Sequence, residues 1–83
     1  MTTYPQVLVN VRVDQRHPDI AAEMAAEIGV AEAALGGDGR VLVRASGTEP
    51  LVRVMVEAPT DAIAREAAEQ LAEVVRARFA AST

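Results

Sequence analysis

From Gln6 to Val13 the chain alternates, with Val7, Val9, Val11 and Val13 on one parity and Gln6, Asn10 and Arg12 on the other. A period of two with valine on one side predicts a half-buried strand. Asp14 to Asp19 is a polar break containing Pro18, and beyond it Ile20, Met24, Ile28, Ala31 and Leu35 recur every three or four positions. That spacing predicts one amphipathic helix with Glu23, Glu27 and Glu32 turned to water. Gly29 costs such a helix up to about 1 kcal/mol relative to Ala, which marks it as the place for a kink or restart. Gly36-Gly37-Asp38-Gly39 then ends the helix and turns the chain.

Alternation returns twice. Val41, Val43 and Ala45 oppose Leu42, Arg44 and Ser46 between Arg40 and Ser46, and Val52, Val54 and Val56 oppose Arg53, Met55 and Glu57 between Leu51 and Ala58. Pro59-Thr60-Asp61 supplies a stop and a cap for a second helix marked by Ile63, Ala67, Leu71, Val74 and Arg78 or Phe79. Residues 80–83 are expected to fray. The order strand, helix, strand, strand, helix predicts an α+β domain, with a small antiparallel or mixed sheet whose valine face is covered by two helices.

Composition narrows what such a domain can do. Eighty-three residues, 51 % hydrophobic and 24 % charged, suit a single domain spanning 1–83 with an ordered core over about 6–79, and are too few for two independent cores. The chain has no cysteine and one histidine, His17, so it carries neither a disulfide framework nor a His/Cys zinc cluster. A net charge of −4 and a pI near 4.8 argue against binding nucleic acid. No apolar run approaches the roughly 20 residues of a membrane span, and Met1 to Pro5 lack the basic-then-apolar start of a signal peptide. A cytoplasmic, membrane-free domain, monomeric in isolation, is the expectation.

Core building does not explain Arg44-Ala45-Ser46-Gly47-Thr48-Glu49-Pro50-Leu51-Val52-Arg53. If Arg44 pairs with Arg53, then Val43 pairs with Val54 and Val41 with Val56, and both strands present their valines to one side. The same register sets two arginines face to face. Like charges so placed repel, which makes sense if an anion sits between or above them. Gly47 permits close backbone approach and positive φ, Ser46 and Thr48 can donate hydroxyls, successive amides can form a concave nest, and Pro50 stiffens the exit. The residues leave two readings open: a phosphate or carboxylate site, or a Gly-Pro turn with two solvated arginines, one paired with Glu49 or Glu57. A Walker loop is excluded because the chain has no lysine.

Elsewhere the simpler readings prevail. His17 reads as solvent-facing or as a residue leading into the helix, with no nucleophile near it in sequence. Arg65 with Glu69 four positions on reads as a solvated pair worth tenths of a kcal/mol. Met24 and Met55 read as packing residues, and Tyr4 and Phe79 are too few for a base-stacking platform.

The Arg44–Pro50 loop and the strand Leu51-Val52-Arg53-Val54-Met55-Val56-Glu57 resemble the phosphate-binding loop in the C-terminal, fourth domain of the α-D-phosphohexomutases. The resemblance runs from Val7 to about Phe79. Its Ser-Gly-Thr-Glu-Pro form is closest to the phosphoglucosamine branch, although Ala45 stands where that branch more often has Pro or Lys. The resemblance implies a TATA-box-binding-protein-like sheet with helices on one face. It implies that Arg44, Ser46, Gly47, Thr48 and Arg53 hold the non-reacting phosphate of a phosphosugar, with Glu49 as support and no catalytic residue in the chain. It also implies that the phosphoserine, the magnesium loop and the sugar-reading loop belong to three further domains whose motifs are absent here, so the chain binds no cofactor itself. The same domain of a phosphomannomutase/phosphoglucomutase and a standalone anion-binding module are the alternatives.

Overall fold

The computed structural model describes residues 4–79. Its elements run β1 (Gln6–Arg12), α1 (Ile20–Glu23), α2 (Ala25–Leu35), β2 (Arg40–Ala45), β3 (Leu51–Glu57) and α3 (Asp61–Phe79). The three strands form an antiparallel sheet in the order β1-β3-β2, which resolves the antiparallel-or-mixed alternative. The expected fraying of residues 80–83 lies outside the described residues.

Valine parity sets the layers. Val7, Val9 and Val11 pair with Val56, Val54 and Val52, and Val41 and Val43 pair with Val56 and Val54, so all point to one face. Of these, Val52, Val54 and Val56 on the central strand are fully buried. Burying a side chain of this size stabilises by roughly 1.5–3 kcal/mol relative to exposure, and a one-residue slip would forfeit that for a whole strand. The helices cover this face, α3 over β1 and β3, and α1 with α2 over β2. Ala64, Ala68 and Ala72 recur every four residues and are fully buried, so α3 lies close against the sheet on its smallest side chains.

Thr60 caps α3 as expected, its Oγ1 accepting from the Ile63 amide at 3.2 Å. Gly36 and Gly37 take φ of 64° and 85°, left-handed values that end α2 and that only glycine adopts without strain. Gly39 answers a different need, because a Cβ there would collide with the Glu57 carbonyl oxygen and lie 2.8 Å from Leu35 Cδ1.

Several expectations are corrected. The first helix is two helices, broken at Met24 (φ −105°, ψ 14°) rather than at Gly29. Met24 is fully buried, so its side chain is fixed by the core while the backbone turns, whereas Gly29 is exposed and has open space around it. The α2 segment is less amphipathic than its spacing suggests: only Leu35 is fully buried, Ile28 and Ala31 are half-buried, and Val30 is 71 % exposed. Glu27 is only partly turned to water and meets Arg78 Nη1 at 3.1 Å, linking α2 and α3. Arg65 pairs with Asp61 at 3.5 Å rather than with Glu69, the acid-before-base order that a helix favours.

Candidate functional site

The face of the sheet away from the helices presents three rows of side chains that cross all three strands, with Arg12 paired to Leu51 beyond them. Gln6, Glu57 and Arg40 form one row, Leu8, Met55 and Leu42 the next, and Asn10, Arg53 and Arg44 the third. Arg44 and Arg53 are thus directly opposed, in one of the registers that valine parity allows. They line a shallow cleft of about 230 Å³ floored by Leu8, Leu42 and Met55. Neither arginine makes an ion pair among the described residues, and Glu57, a suggested partner, instead accepts from Gln6 Nε2 at 2.9 Å. Two exposed guanidinium groups therefore stand side by side next to the loop with most of their donors free.

The β2–β3 loop begins immediately beyond that row. It is closed by the Ser46 amide donating to Leu51 C=O at 2.8 Å and by the Leu51 amide donating to Glu49 C=O at 2.8 Å. Inside it the Thr48 and Glu49 amides both donate to Ser46 Oγ, each at 3.4 Å. These bonds are longer than the usual 2.9–3.0 Å, so the two N–H groups converge on an oxygen that holds them weakly. The sequence allowed Gly47 a positive φ, but only Gly36 and Gly37 have one among the described residues. The loop at rest is therefore a serine-centred turn rather than a nest of alternating handedness. Gly47 keeps its surroundings open, because a Cβ built there meets nothing within 4 Å. Glu49 contributes through its backbone, and its carboxylate forms no ion pair among the described residues.

A separate cleft on the loop comes from the break after β1, which sequence reasoning passed over. Gln15, Arg16 and Pro18 line a cleft of about 510 Å³ with Ser46 and Gly47, and Arg16 Nη1 donates to Gly47 C=O at 3.4 Å. The only sequence signal for this was an arginine in the polar segment that leaves β1 at the sheet end where the loop also lies. This segment is anchored on both sides of Arg16. The Val13 amide donates to Pro50 C=O at 2.9 Å and the Asp14 amide to Phe79 C=O at 2.8 Å. His17 leads into α1, its carbonyl accepting from the Ile20 amide at 3.0 Å.

The His17 ring is nearly buried rather than solvent-facing, packed 4.6 Å from the Phe79 ring. Its Nε2 lies 2.8 Å from Asp14 Oδ1 and its Nδ1 3.5 Å from Glu23 Oε1. With a carboxylate at each nitrogen the site suits the doubly protonated ring. The Asp14 hydrogen bond, aided by the charges of Glu23 and Asp14, raises the His17 pKa above its ordinary value against the opposing effect of burial. Reciprocally, the His17 hydrogen bond lowers that of Asp14.

Other surfaces carry less chemistry. A groove of about 270 Å³ between α2 and α3 is walled mainly by Val30, Ala31, Ala34, Leu71 and Val74. Among the described residues no group of three or more His, Cys, Asp or Glu side chains could hold a metal ion, and no helix is long and apolar enough to cross a membrane.

Comparison with known proteins places this geometry. A family model described as the phosphoglucomutase/phosphomannomutase C-terminal domain matches residues 8–74. The phosphoglucosamine mutase of Frankia alni is 61 % identical over 82 residues, covering 98 % of this chain and 18 % of the relative. That of Salinispora tropica is 62 % identical over 73 residues, or 87 % and 16 %. This chain therefore spans less than a fifth of the curated relatives it matches. Among solved structures, the N-acetylphosphoglucosamine mutase of Aspergillus fumigatus in complex with GlcNAc-6P and magnesium superimposes with a TM-score of 0.75 at 31 % identity, over 89 % of this chain and 17 % of that one. A variant of the same enzyme with glucose 1,6-bisphosphate gives 0.79 at 30 %, over 93 % and 16 %. These neighbours agree with the TATA-box-binding-protein-like fold, and, with the family model spanning residues 8–74, this chain belongs to the phosphoglucomutase/phosphomannomutase C-terminal domain family.

Proposed function

We propose that this chain, a single domain with its core over about residues 6–79, is the substrate-phosphate-binding domain of a phosphoglucosamine mutase. The parent enzyme interconverts glucosamine 6-phosphate and glucosamine 1-phosphate through a bisphosphate. The carrying observation is the opposed, unpaired Arg44 and Arg53 beside a loop whose Thr48 and Glu49 amides converge on one weakly held oxygen. Such a set matches a phosphate: two guanidinium forks for its charge, two N–H groups and the hydroxyls of Ser46 and Thr48 for its remaining oxygens, and space at Gly47 for its approach. The relatives named as phosphoglucosamine mutases support glucosamine over mannose or glucose as the sugar.

In this reading the site grips the phosphate that does not react. Its binding energy orients the far end of the sugar, where the phosphoryl group moves. Because the bisphosphate must turn over between half-reactions, each phosphate occupies the site in turn, and contacts to the phosphate group itself serve both orientations. A loop presented by a separate domain also closes the cleft and excludes water from a phosphoenzyme. Magnesium, the phosphoserine and the sugar-reading residues belong to the other domains of the parent, and among the described residues of this chain no cluster of three or more His, Cys, Asp or Glu could hold a metal.

The test is an amide-resolved NMR titration of the chain with glucosamine 6-phosphate at low ionic strength. Saturable shifts at Ser46, Gly47 and Thr48 and along the strands bearing Arg44 and Arg53 are expected, and their absence at millimolar ligand overturns the reading. The chain alone, given glucosamine 6-phosphate, a bisphosphate activator and magnesium, is expected to give no turnover. Turnover would overturn its assignment as a binding domain.

A further inference from the structure

We propose that Arg16 is a positioning residue for the phosphate loop, setting the Gly47–Thr48 peptide so that its N–H faces the anion. The inference rests on the reading of that loop as a phosphate site. In a trans peptide the C=O and the following N–H point in opposite directions, and no described peptide bond is cis. Arg16 Nη1 donates to Gly47 C=O at 3.4 Å, and on the other side of the same peptide unit the Thr48 N–H points to Ser46 Oγ. The Arg16 contact is no shorter than the two bonds to Ser46 Oγ, so it biases rather than locks the carbonyl to the Arg16 side, and with it the amide to the loop interior beside the Glu49 amide.

Without the Arg16 contact, the long bond from the Thr48 amide to Ser46 Oγ is the remaining described hydrogen bond holding this peptide's orientation. Gly47 adds no side chain, and a Cβ there would meet nothing within 4 Å. A flip would turn the Gly47 carbonyl oxygen toward the arriving phosphate, replacing a donor with a repelling acceptor. Arg16 also polarises the peptide by donating to its oxygen, which strengthens the Thr48 N–H as a donor.

Arg16 is suited to this task because its backbone is held on either side. The Asp14 amide is tied to the end of α3, the Val13 amide to Pro50 at the loop exit, and the His17 ring is held by Asp14, Glu23 and Phe79. The β1–α1 segment thus acts as a bracket that grips the loop at Gly47 and at Pro50.

The experiment titrates inorganic phosphate into the chain and into the variants Arg16→Gln, Arg16→Lys and Arg53→Gln, followed by amide NMR at two ionic strengths. Arg16→Gln is expected to weaken binding by about three- to tenfold, the scale of one hydrogen bond. That loss persists at the higher salt, where long-range attraction is screened. In the phosphate-free chain the same variant shifts the Thr48 amide nitrogen, because its peptide carbonyl has lost a donor, while the Arg44 and Arg53 amides stay in place. Arg16→Lys, which keeps a charged donor, recovers most of the affinity and of the Thr48 signal.

Wild-type affinity in Arg16→Gln, or a loss that vanishes at high salt with Thr48 unmoved, overturns the inference and leaves the site reading intact if Arg53→Gln still loses binding. Absence of saturable phosphate binding in the wild-type chain, or unchanged binding in Arg53→Gln, overturns the site reading and this inference with it.

Discussion

Replacing Arg53 with Gln should make the free domain more stable while damaging its anion site. Arg44 and Arg53 are directly opposed on adjacent strands, exposed, and without ion-pair partners among the described residues. Guanidinium groups splayed to about 7 Å repel by about 0.6 kcal/mol in water. That agrees with the roughly 0.2–1 kcal/mol range of cross-strand pairs. Gln keeps much of the side-chain stem on the sheet and removes the charge, so the gain should be of that size, or roughly 1–8 °C in Tm for a domain of this length. The cause can be isolated with salt, since at 1 M the screening length falls to about 3 Å and the difference between the two proteins should largely disappear. Thermal melts of both proteins at about 10 mM and 1 M salt supply the measurement, with phosphate titration alongside. Phosphate binding should weaken by about 1–3 kcal/mol through loss of charge-assisted bonds. A Tm unchanged or lowered at low salt, or a gain that survives in full at 1 M, would refute the claim that the two arginines are held together against their mutual repulsion.

Three other expectations follow from the fold. Gly39→Ala places a methyl group into the Glu57 carbonyl and near Leu35, and should cost about 1–3 kcal/mol by urea denaturation; a neutral result would mean that the α2–β2 turn is not tightly seated on β3. Thr60→Ala removes the α3 cap and should cost about 1 kcal/mol, whereas Thr60→Ser should retain most of it. For the His17–Asp14 pair, the raised His17 pKa gives stability that is full below the ordinary value of 6.5 and lost as pH rises through the folded value. The lowered Asp14 pKa gives stability that is full above 3.8 and lost as pH falls through its folded value. Urea midpoints against pH should therefore hold a plateau between those ordinary values and decline on both sides, and His17→Gln should remove the decline on the alkaline side.

Much of the sheet was legible because valine parity has few consistent solutions. Once Val41, Val43, Val52, Val54 and Val56 must share a face, only registers two residues apart remain, and the structure has the one that sets Arg44 against Arg53. The helices were read less well. Apolar spacing ran unbroken from Ile20 to Leu35, and nothing local marks Met24 as a break, since burial of its own side chain in the tertiary core accompanies the turn. The Glu27–Arg78 contact joins residues 51 positions apart and cannot be found from helical periodicity. The candidate loop was found from its composition, which left its backbone conformation open. Glycine advertises a freedom that the chain need not use, and at Gly47 the described feature is open space. Arg16 was invisible for a related reason: its contact with Gly47 depends on how β1 ends beside the β2–β3 loop, and a lone arginine in a polar break has no periodic neighbour to mark it.

The strand order has a consequence for how the chain reaches its fold. The first rung between β2 and β3, Ala45 with Val52, joins positions 7 apart, whereas the nearest rung between β1 and β3, Arg12 with Leu51, joins positions 39 apart. Closing the longer span costs about 1.5 kcal/mol more in chain entropy, which favours the β2–β3 hairpin as the earlier pairing. The turn of that hairpin is the Ser46–Pro50 loop, and the second rung beyond it brings Arg44 against Arg53. The pairing that loop entropy favours is thus the one whose turn carries the candidate anion site, and the opposed arginines of its second rung work against that pairing.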